Sequence, residues 1–582
     1  MRRKLAILLM FAVFAVGIWT GFEQLRPPSP PAESNPDYSA YQRMLAHLQA
    51  MTVAPHPSGS KELDEVRTYL LAQIRDMGLE ATVDRETYTD ADIKAANRDQ
   101  DGPPMGERSV RKTPLSGSLP DGNPKRAPSE EIGGLVLSNI WVKLDAPSTD
   151  RGILMLAHYD SKVNTPGTAD DMVSVSALLE AMREQAKNPD LKNDLYFLFT
   201  DGEEESALGA KAFVKSHPEL QSKIDLVLNF DARGNRGGLL MFETSTSNYE
   251  LLQHFQSASS RPVAFSFLSG LYRRMPNGTD LTSFLEAGYP GLNFAVAEGV
   301  EHYHQPSDTF DNLHRGTAYN FLQTVLEMAD YSGQAQFRDS GSNRDSVFFT
   351  LLTGNLVVLS DIAAYLLSVC AGLASLAWLI IQIRLGKVKL RQIVGGTGWL
   401  LGTMVAMGLL SWGVVSLLTQ TMGLTKSTNN DTVFLCIALA HGLGALAVWF
   451  FRMRNRSLAE AIASVLPIQV LLIVGTTVLF YEISYLFTLS TLAILIVALM
   501  DWYPIGRMIA SSVLGVGIWL LYVPLCWLVY VMFMLPATPI VVALSVVPVS
   551  IVAVFFGAKY RLSAVSLPEE GKQTIPISTE RG

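Results

Sequence analysis

The chain has 582 residues, which is too long for one ordinary hydrophobic core and predicts more than one domain. Its 54 acidic residues outnumber the 46 Lys and Arg, and the formal net charge of −8 gives no reason to expect nucleic-acid binding. Residues from about 27 to 344 are mixed and charged, whereas 362–556 is a series of apolar stretches with few charges. Because each stretch is about long enough to cross a bilayer, the sequence predicts a soluble half and a membrane half.

The first 22 residues predict a membrane anchor. Arg2, Arg3 and Lys4 precede a run of about eighteen apolar residues, and no small-residue cleavage site is obvious after it. These features favour an uncleaved signal anchor over a cleaved signal peptide. Because basic residues stay on the cytoplasmic side, we expect the following domain to face the other way.

Seven further apolar segments predict a multi-pass domain; they are 362–383, 393–418, 432–451, 462–480, 484–500, 508–532 and 540–556. With a cytoplasmic N-terminus, the inside loops receive the basic runs at 384–391 and 452–456 and also Arg507, whereas the outside loops hold little beyond Lys426. The positive-inside rule then predicts that both termini are cytoplasmic. The predicted domains are a signal anchor at 1–22, an extracytoplasmic domain at 23–345, a membrane domain of about seven helices at 346–560 and a cytoplasmic tail at 561–582.

The soluble half has the pattern of an α/β domain. Short β-rich runs such as "GILMLA" and "LYFLFT" alternate with helical patterns, which are 38–51, 61–77, 172–185 and 207–216. A Pro, Gly and charge-rich stretch at about 90–130 predicts a surface insertion. We expect a doubly wound, largely parallel mixed sheet with helices on both faces, which binds ligands at the carboxyl ends of its strands.

Acids and histidines follow four of the predicted strands. They are His158 and Asp160, the run Glu203 to Glu205, Asp231, and His302 with His304; two further acids, Asp170 and Asp171, stand just before a predicted helix. Each group alone has an ordinary explanation, such as a helix cap, a charge at a helix start or a loop hydrogen bond. Together at one sheet edge, nitrogen and carboxylate ligands without thiolate predict a site for zinc or a related divalent ion.

The order and spacing of these residues resemble the co-catalytic di-zinc aminopeptidases of the aminopeptidase S and aminopeptidase Y type. The matching elements are "HYD" at His158, an Asp twelve residues later at Asp170, the Glu pair followed by Gly209 and Ala210, Asp231 after a strand, and "YHQPSD" from Tyr303. The resemblance covers roughly residues 40–330. With the apolar half, the architecture is similar to the endoplasmic reticulum metallopeptidase and vacuolar membrane protease branch of that family.

The resemblance implies a role for each matching residue. His158 and Asp231 would hold one zinc ion, Glu204 and His304 a second, and Asp170 would bridge both. Glu203 would be the general base, Asp160 would orient His158, and Tyr303 would donate a hydrogen bond to the oxyanion. The segments "APHPSGS" and "NGTDLTSF" also look like parts of this family, although turn chemistry explains them equally well.

The expected function is membrane-bound removal of N-terminal residues from peptides, with the lipid bilayer as the other partner. A glutaminyl cyclase with one zinc ion is the closest alternative, because those enzymes look similar around "HYDSK" and "DGEE". A catalytically silent receptor domain and a transporter with an appended domain are alternatives of other classes. All three cysteines lie in apolar segments, and the expected lack of a disulfide favours a bacterial inner membrane, with the domain in the periplasm, over the endoplasmic reticulum or vacuole.

Overall fold

The soluble half is built on a seven-stranded sheet. The computed structural model describes residues 2–89, 91–93, 134–147, 149, 151–337, 344–352, 354–425 and 428–559. The predicted insertion therefore lies mostly, and the predicted tail wholly, outside the described residues. The strands of the sheet are β1 (Thr82–Tyr88), β2 (Leu135–Leu144), β3 (Gly152–His158), β4 (Asp194–Thr200), β5 (Ile224–Ala232), β6 (Leu240–Thr244) and β7 (Gly291–Val296).

The strand order is β1-β2-β4-β3-β5-β7-β6, with a parallel centre and antiparallel edges. Strands β4, β3, β5 and β7 run parallel, whereas β1, β2 and β6 join them through antiparallel pairings. Every residue of β3 and β4 is buried, as expected for strands that are covered on both faces. The carboxyl ends of the four parallel strands therefore meet at one edge of the sheet.

Helices cover both faces of this sheet, which confirms the predicted α/β class. Along β3, Ile153 and Met155 face one apolar core, whereas Leu154 and Leu156 face the other, because side chains alternate along a strand. The helices on the first face are α2 (Tyr38–Met51), α3 (Lys61–Asp76), α4 (Val173–Gln185), α6 (Tyr249–Ala258) and α9 (Arg315–Gln334). The other face is covered by α5 (Leu208–Ser216) and α8 (Asp280–Glu286), and the short α7 (Ser266–Tyr272) packs near β6.

Within the described residues, eight helices are long and apolar enough to cross a membrane, as many as the sequence predicts. They are α1 (Arg2–Glu23), α10 (Asp361–Arg384), α11 (Leu390–Met422), α12 (Asp431–Met453), α13 (Leu458–Leu479), α14 (Ser484–Leu499, extended by flanking 3₁₀ turns), α15 (Pro504–Phe533) and α16 (Thr538–Gly557). Between the sheet domain and α10 lies a hairpin of β8 (Ser346–Thr350) and β9 (Leu356–Ser360), which the sequence left unassigned.

One end of the helical bundle touches the sheet domain. The contacts are made by the ends of α1, α12, α13 and α15, through Leu25, Asp431, Glu482 and Met532. At the opposite end, the guanidinium of Arg507 donates to the carbonyl of Lys559 over 2.9 Å, and the Lys559 N–H donates to Arg456 over 2.9 Å. The basic loops of the sequence therefore lie away from the sheet domain.

Candidate metal centre

His158 is the last residue of the buried strand β3, so its ring projects from the carboxyl edge of the sheet. Its Nδ1 lies 3.0 Å from the backbone carbonyl of Asp160, a contact that keeps the proton on Nδ1. Its Nε2 then faces carboxylate oxygens, at 3.2 Å from Asp170 Oδ1 and 3.8 Å from Asp231 Oδ1. A neutral ring in this orientation presents a free lone pair, which is the form that binds a metal.

Asp170 reaches the same edge on a tight turn between β3 and α4. Gly167 begins the turn at φ 67°, and residues Thr168–Met172 form an irregular turn with non-helical dihedral angles at Asp170 and Asp171 before α4 starts at Val173, one residue later than predicted. The carboxylate of Asp308 holds this turn, because it accepts the N–H of Ala169 over 2.9 Å and that of Asp170 over 3.2 Å. Asp308 therefore fixes where the Asp170 carboxylate points.

The consecutive residues Glu203 and Glu204 follow β4. Their backbone N–H groups both donate to the buried carboxylate of Asp160, over 3.1 and 3.2 Å. Asp160 thus contacts His158 through its carbonyl and the glutamate turn through its side chain. Lys162 lies beside Glu204, with Nζ at 2.9 Å from Oε2 and 2.7 Å from the backbone carbonyl.

His304 comes from the loop after β7. It has a positive φ of 55°, and the ring of Tyr303 stacks on it with centroids 3.7 Å apart. His304 Nε2 lies 3.2 Å from Glu204 Oε1 and 3.3 Å from Asp170 Oδ2. The nearby His302 turns away instead, since its Nδ1 lies 2.9 Å from Ser307 Oγ.

The five residues that the sequence singles out as ligands form two adjacent groups that share one member. His158, Asp170 and Asp231 form the first group, and Asp170, Glu204 and His304 form the second; in each, the candidate ligand atoms lie within 4.8 Å of one another. Asp170 uses Oδ1 toward the first group and Oδ2 toward the second. This arrangement is suited to two neighbouring divalent ions bridged by one carboxylate.

The donor atoms fit such ions. Four atoms aimed at the two centres are buried and have no hydrogen-bond partner among the described residues: His158 Nε2, Asp170 Oδ2, Glu204 Oε1 and His304 Nε2. Buried polar atoms without partners are costly, and a cation at each centre would satisfy them. Nitrogen and carboxylate donors together are typical of zinc.

The buried acids of the site also favour a bound cation, as the pKa shifts of Glu203 and His304 indicate. Burial raises the pKa of Glu203 well above its usual value, and the carboxylates of Asp231 and Glu204 raise it further. Although burial lowers the pKa of His304, the Glu204 and Asp170 carboxylates raise it to about 9. A divalent cation among these groups would reverse both shifts, because it stabilises carboxylates and competes with protons for histidine.

Three charged residues near the centre have no role in the sequence-based prediction. Lys162 pairs with Glu204, Asp308 holds the Asp170 turn, and Asp280 hydrogen-bonds the Thr200 hydroxyl at the end of β4. Burial raises the pKa of Asp280 to about 7. The sequence does contain signals for two of them. Lys162 lies four residues after His158, just beyond the end of β3, and Asp280 lies in the "NGTDLTSF" segment.

Comparison with known proteins agrees with this site. Residues 139–329 match the model of Peptidase family M28. This match lies within the sheet domain and includes all five proposed ligands, and it confirms the family resemblance predicted from the sequence. The curated relatives carry the two names that the sequence resemblance implied.

Two curated relatives illustrate this. Endoplasmic reticulum metallopeptidase 1 of Rattus norvegicus is 30% identical over 230 residues, which are 38% of this chain and 25% of the relative. The vacuolar membrane protease of Candida dubliniensis is 25% identical over 352 residues, which are 59% of this chain and 34% of the relative. The matches thus span between a quarter and about a third of the length of these relatives.

Two solved structures are also similar. An aminopeptidase from Aneurinibacillus sp. strain AM-1 has a TM-score of 0.38 and 16% identity, covering 51% of this chain and 96% of that one. A glutaminyl cyclase from Fimbriiglobus ruber has a TM-score of 0.37 and 14% identity, covering 53% of this chain and 99% of that one.

Proposed function

We propose that this protein is a membrane-bound zinc aminopeptidase that removes N-terminal residues from peptides with two zinc ions. The observation that carries the proposal is the pair of ligand groups that share Asp170, with unpartnered donor atoms aimed at both centres. His158 and Asp231 would hold one ion, Glu204 and His304 the other, and Asp170 both. When bound, the ions would lower the pKa of a water molecule and polarise the scissile carbonyl.

Glu203 is the proposed general base. Its carboxylate would take a proton from the attacking water and return it to the nitrogen of the leaving amine. Its backbone N–H is held by Asp160, which fixes the residue beside Glu204.

Tyr303 is the proposed donor to the oxyanion that develops on the substrate carbonyl. Burial raises the pKa of its hydroxyl well above the usual value, with added effects from the Asp170 and Glu204 carboxylates, so the phenol stays protonated. A protonated phenol next to the ligand groups can donate a hydrogen bond that strengthens as negative charge builds up. Its ring, stacked on His304, also limits the rotation of both side chains.

The proposed location is a multi-pass membrane protein with the peptidase domain on the extracytoplasmic side. Support comes from the eight apolar helices and from the basic loops at the end of the bundle away from the sheet domain. The curated relatives are named for the endoplasmic reticulum and the vacuole. Both compartments lie across a membrane from the cytoplasm.

The function is tested on the full-length protein with Glu203→Gln and, as matched control, Glu205→Gln. Substrates are aminoacyl-nitroanilides, their N-acetylated counterparts and a peptide with N-terminal glutamine. We expect hydrolysis of the free amines only, a loss of about 10²–10⁴-fold in Glu203→Gln with zinc retained, and near wild-type turnover in Glu205→Gln. Release of ammonia from glutamine with about one zinc would favour the cyclase, and absence of zinc and turnover would favour the silent receptor.

A further inference from the structure

Two of the loops that carry proposed ligands are joined to each other. We call residues 231–236 and 298–304 the ligand loops; the first begins with the last two residues of β5 and contains Asp231, and the second follows β7 and contains His304. The Arg236 N–H donates to the Glu298 carbonyl over 3.1 Å, and a Cβ built on Gly234 would lie 2.0 Å from that carbonyl oxygen. Because no side chain fits between them, the two loops are closely apposed.

Both ligand loops are also bonded to the end of α15. The indole Nε1 of Trp527 donates to Glu298 Oε1 over 2.9 Å. The guanidinium of Arg233, two residues after Asp231, donates to the Met532 carbonyl over 3.3 Å. Burial raises the pKa of Glu298. The apolar helix thus holds one residue of each loop.

A second connection runs through an ion cluster at the start of α12. Arg236 donates to Glu301 Oε1 over 2.7 Å and to Asp431 Oδ2 over 2.8 Å. The hydroxyl of Tyr530 donates to the other oxygen of Asp431 over 2.9 Å. The side chains of Arg236 and Asp431 are each 26% exposed and that of Glu301 only 10%, so water screens this cluster less than a surface pair.

The helix ends behind these contacts are themselves tightly packed. The rings of Phe434 and Tyr530 stack with centroids 3.9 Å apart, and Trp527 packs against Phe434 at 5.9 Å and against Phe22 of α1 at 5.2 Å. Aromatic packing of this kind restricts side-chain rotation. Asp431 and Trp527 therefore present fixed partners to the ligand loops.

From these contacts we propose that Asp431 and Trp527, in the apolar half, are positioning residues for the metal centre. Asp431 orients Arg236, Arg236 holds Glu301, and Glu301 lies three residues before His304. In this proposal the membrane half anchors the peptidase domain and also holds the two ligand loops in position. The inference deepens the proposed function and rests on it for its catalytic consequences.

The test compares Asp431→Asn with Asp361→Asn in the full-length protein. Both aspartates begin an apolar helix, but the Asp361 carboxylate accepts the N–H of Ile362, a residue of its own helix, whereas Asp431 pairs with Arg236 of a ligand loop. Three properties are measured for each variant: hydrogen exchange of residues 298–304, zinc retention against a chelator, and the separate values of kcat and KM.

We expect Asp431→Asn to speed exchange in residues 298–304, to weaken zinc retention and to lower kcat about tenfold, with a smaller change in KM. Asp431→Glu, which keeps the carboxylate, should restore most of kcat, and Asp361→Asn should resemble wild type. Trp527→Phe keeps an aromatic ring and removes the donor to Glu298, so it should change exchange, zinc retention and kcat in the same direction. It provides the test if Asp431→Asn fails to fold.

The outcomes separate this inference from the proposed function. Faster exchange and weaker zinc retention in Asp431→Asn, in a protein that never hydrolyses peptides, would support positioning and refute the aminopeptidase. An active wild type in which Asp431→Asn and Trp527→Phe match Asp361→Asn in exchange, zinc retention and kcat would overturn the positioning role.

Discussion

Lys162 contacts the proposed zinc ligand Glu204 at two places. Its Nζ contacts both the carboxylate and the backbone carbonyl of Glu204. Although burial raises the pKa of Glu204, His304 and Lys162 lower it below its usual range, so the carboxylate stays ionised and ready to bind a metal. A cation placed behind a ligand in this way orients it, as residues around metal ligands commonly do.

Replacement of Lys162 by methionine should therefore weaken metal binding at the Glu204 and His304 position. We expect one of the two zinc ions to bind about tenfold more weakly, measured by competition with a chromogenic chelator. Lys215→Met, at an exposed position on α5, is the control and should leave both affinities unchanged. Equal zinc affinities in the two variants would show that Lys162 does not support the ligand.

The positions of the proposed ligands could be predicted from the sequence, but the contacts that support them could not. His158, Glu204 and Asp231 lie at or shortly after the carboxyl ends of parallel strands. Because such ends meet at one edge of a sheet, their proximity could be predicted. Asp308 supports Asp170 from 138 residues away, through backbone N–H groups of an irregular turn. Such a contact depends on the folded path of two loops, which no local pattern encodes.

Gly209 sits at the start of α5, where the helix passes close to the end of β4. A Cβ built on it would lie 2.0 Å from the Asp201 carbonyl oxygen and 2.6 Å from Asn139 Oδ1. The Asn139 side chain in turn donates to the Gly209 carbonyl over 2.8 Å. The close approach explains why a small residue follows the glutamates that supply Glu204.

Gly209→Ala should destabilise the sheet domain by about 1–3 kcal/mol, because backbone atoms must move to admit the methyl group. Thermal unfolding of the full-length protein in detergent is the measurement. The matched control, Gly372→Ala in α10, places its Cβ in open space and should not lower the Tm, since alanine favours helix. A Tm for Gly209→Ala equal to that of the control would mean that the helix shifts without cost.

Strand β1 and the β8–β9 hairpin could not be predicted from the sequence, for different reasons. Strand β1 reads "TVDRETY" and has no fully buried residue, since it lies at the edge of the sheet and, among the described strands, pairs only with β2. The β8–β9 hairpin is buried on β8, and Phe349 bridges to Phe265 of the sheet domain. Its apolar run, residues 347–359, is too short and too interrupted for hydropathy alone to identify it.

At the scale of the whole molecule, the two ends of the helical bundle differ in their contacts and charge. The start of α12 and the turn after α13 contact the sheet domain, whereas Arg507, at the start of α15, bonds to Lys559 at the opposite end of the bundle. The positive-inside rule predicts that this opposite end, with its basic residues, is cytoplasmic. The sequence predicted the number and approximate bounds of the apolar helices from composition. It did not predict that α12 and α15 contact the ligand loops, because these contacts are tertiary.

Labelling of single cysteines tests the proposed orientation. In a protein lacking Cys370, Cys436 and Cys526, we expect Lys215→Cys to react with a membrane-impermeant maleimide from the extracytoplasmic side. Lys387→Cys, in the loop between α10 and α11, should react only after permeabilisation. Labelling of both cysteines from the same side of an intact membrane would contradict the orientation.

The most direct measurement is the zinc content of the purified full-length protein and of His304→Ala. We expect about two zinc ions per wild-type chain and about one in His304→Ala, because His158, Asp170 and Asp231 still form the first group. An active wild type that holds no zinc, or only about one ion that His304→Ala leaves in place, would contradict a two-ion centre bridged by Asp170.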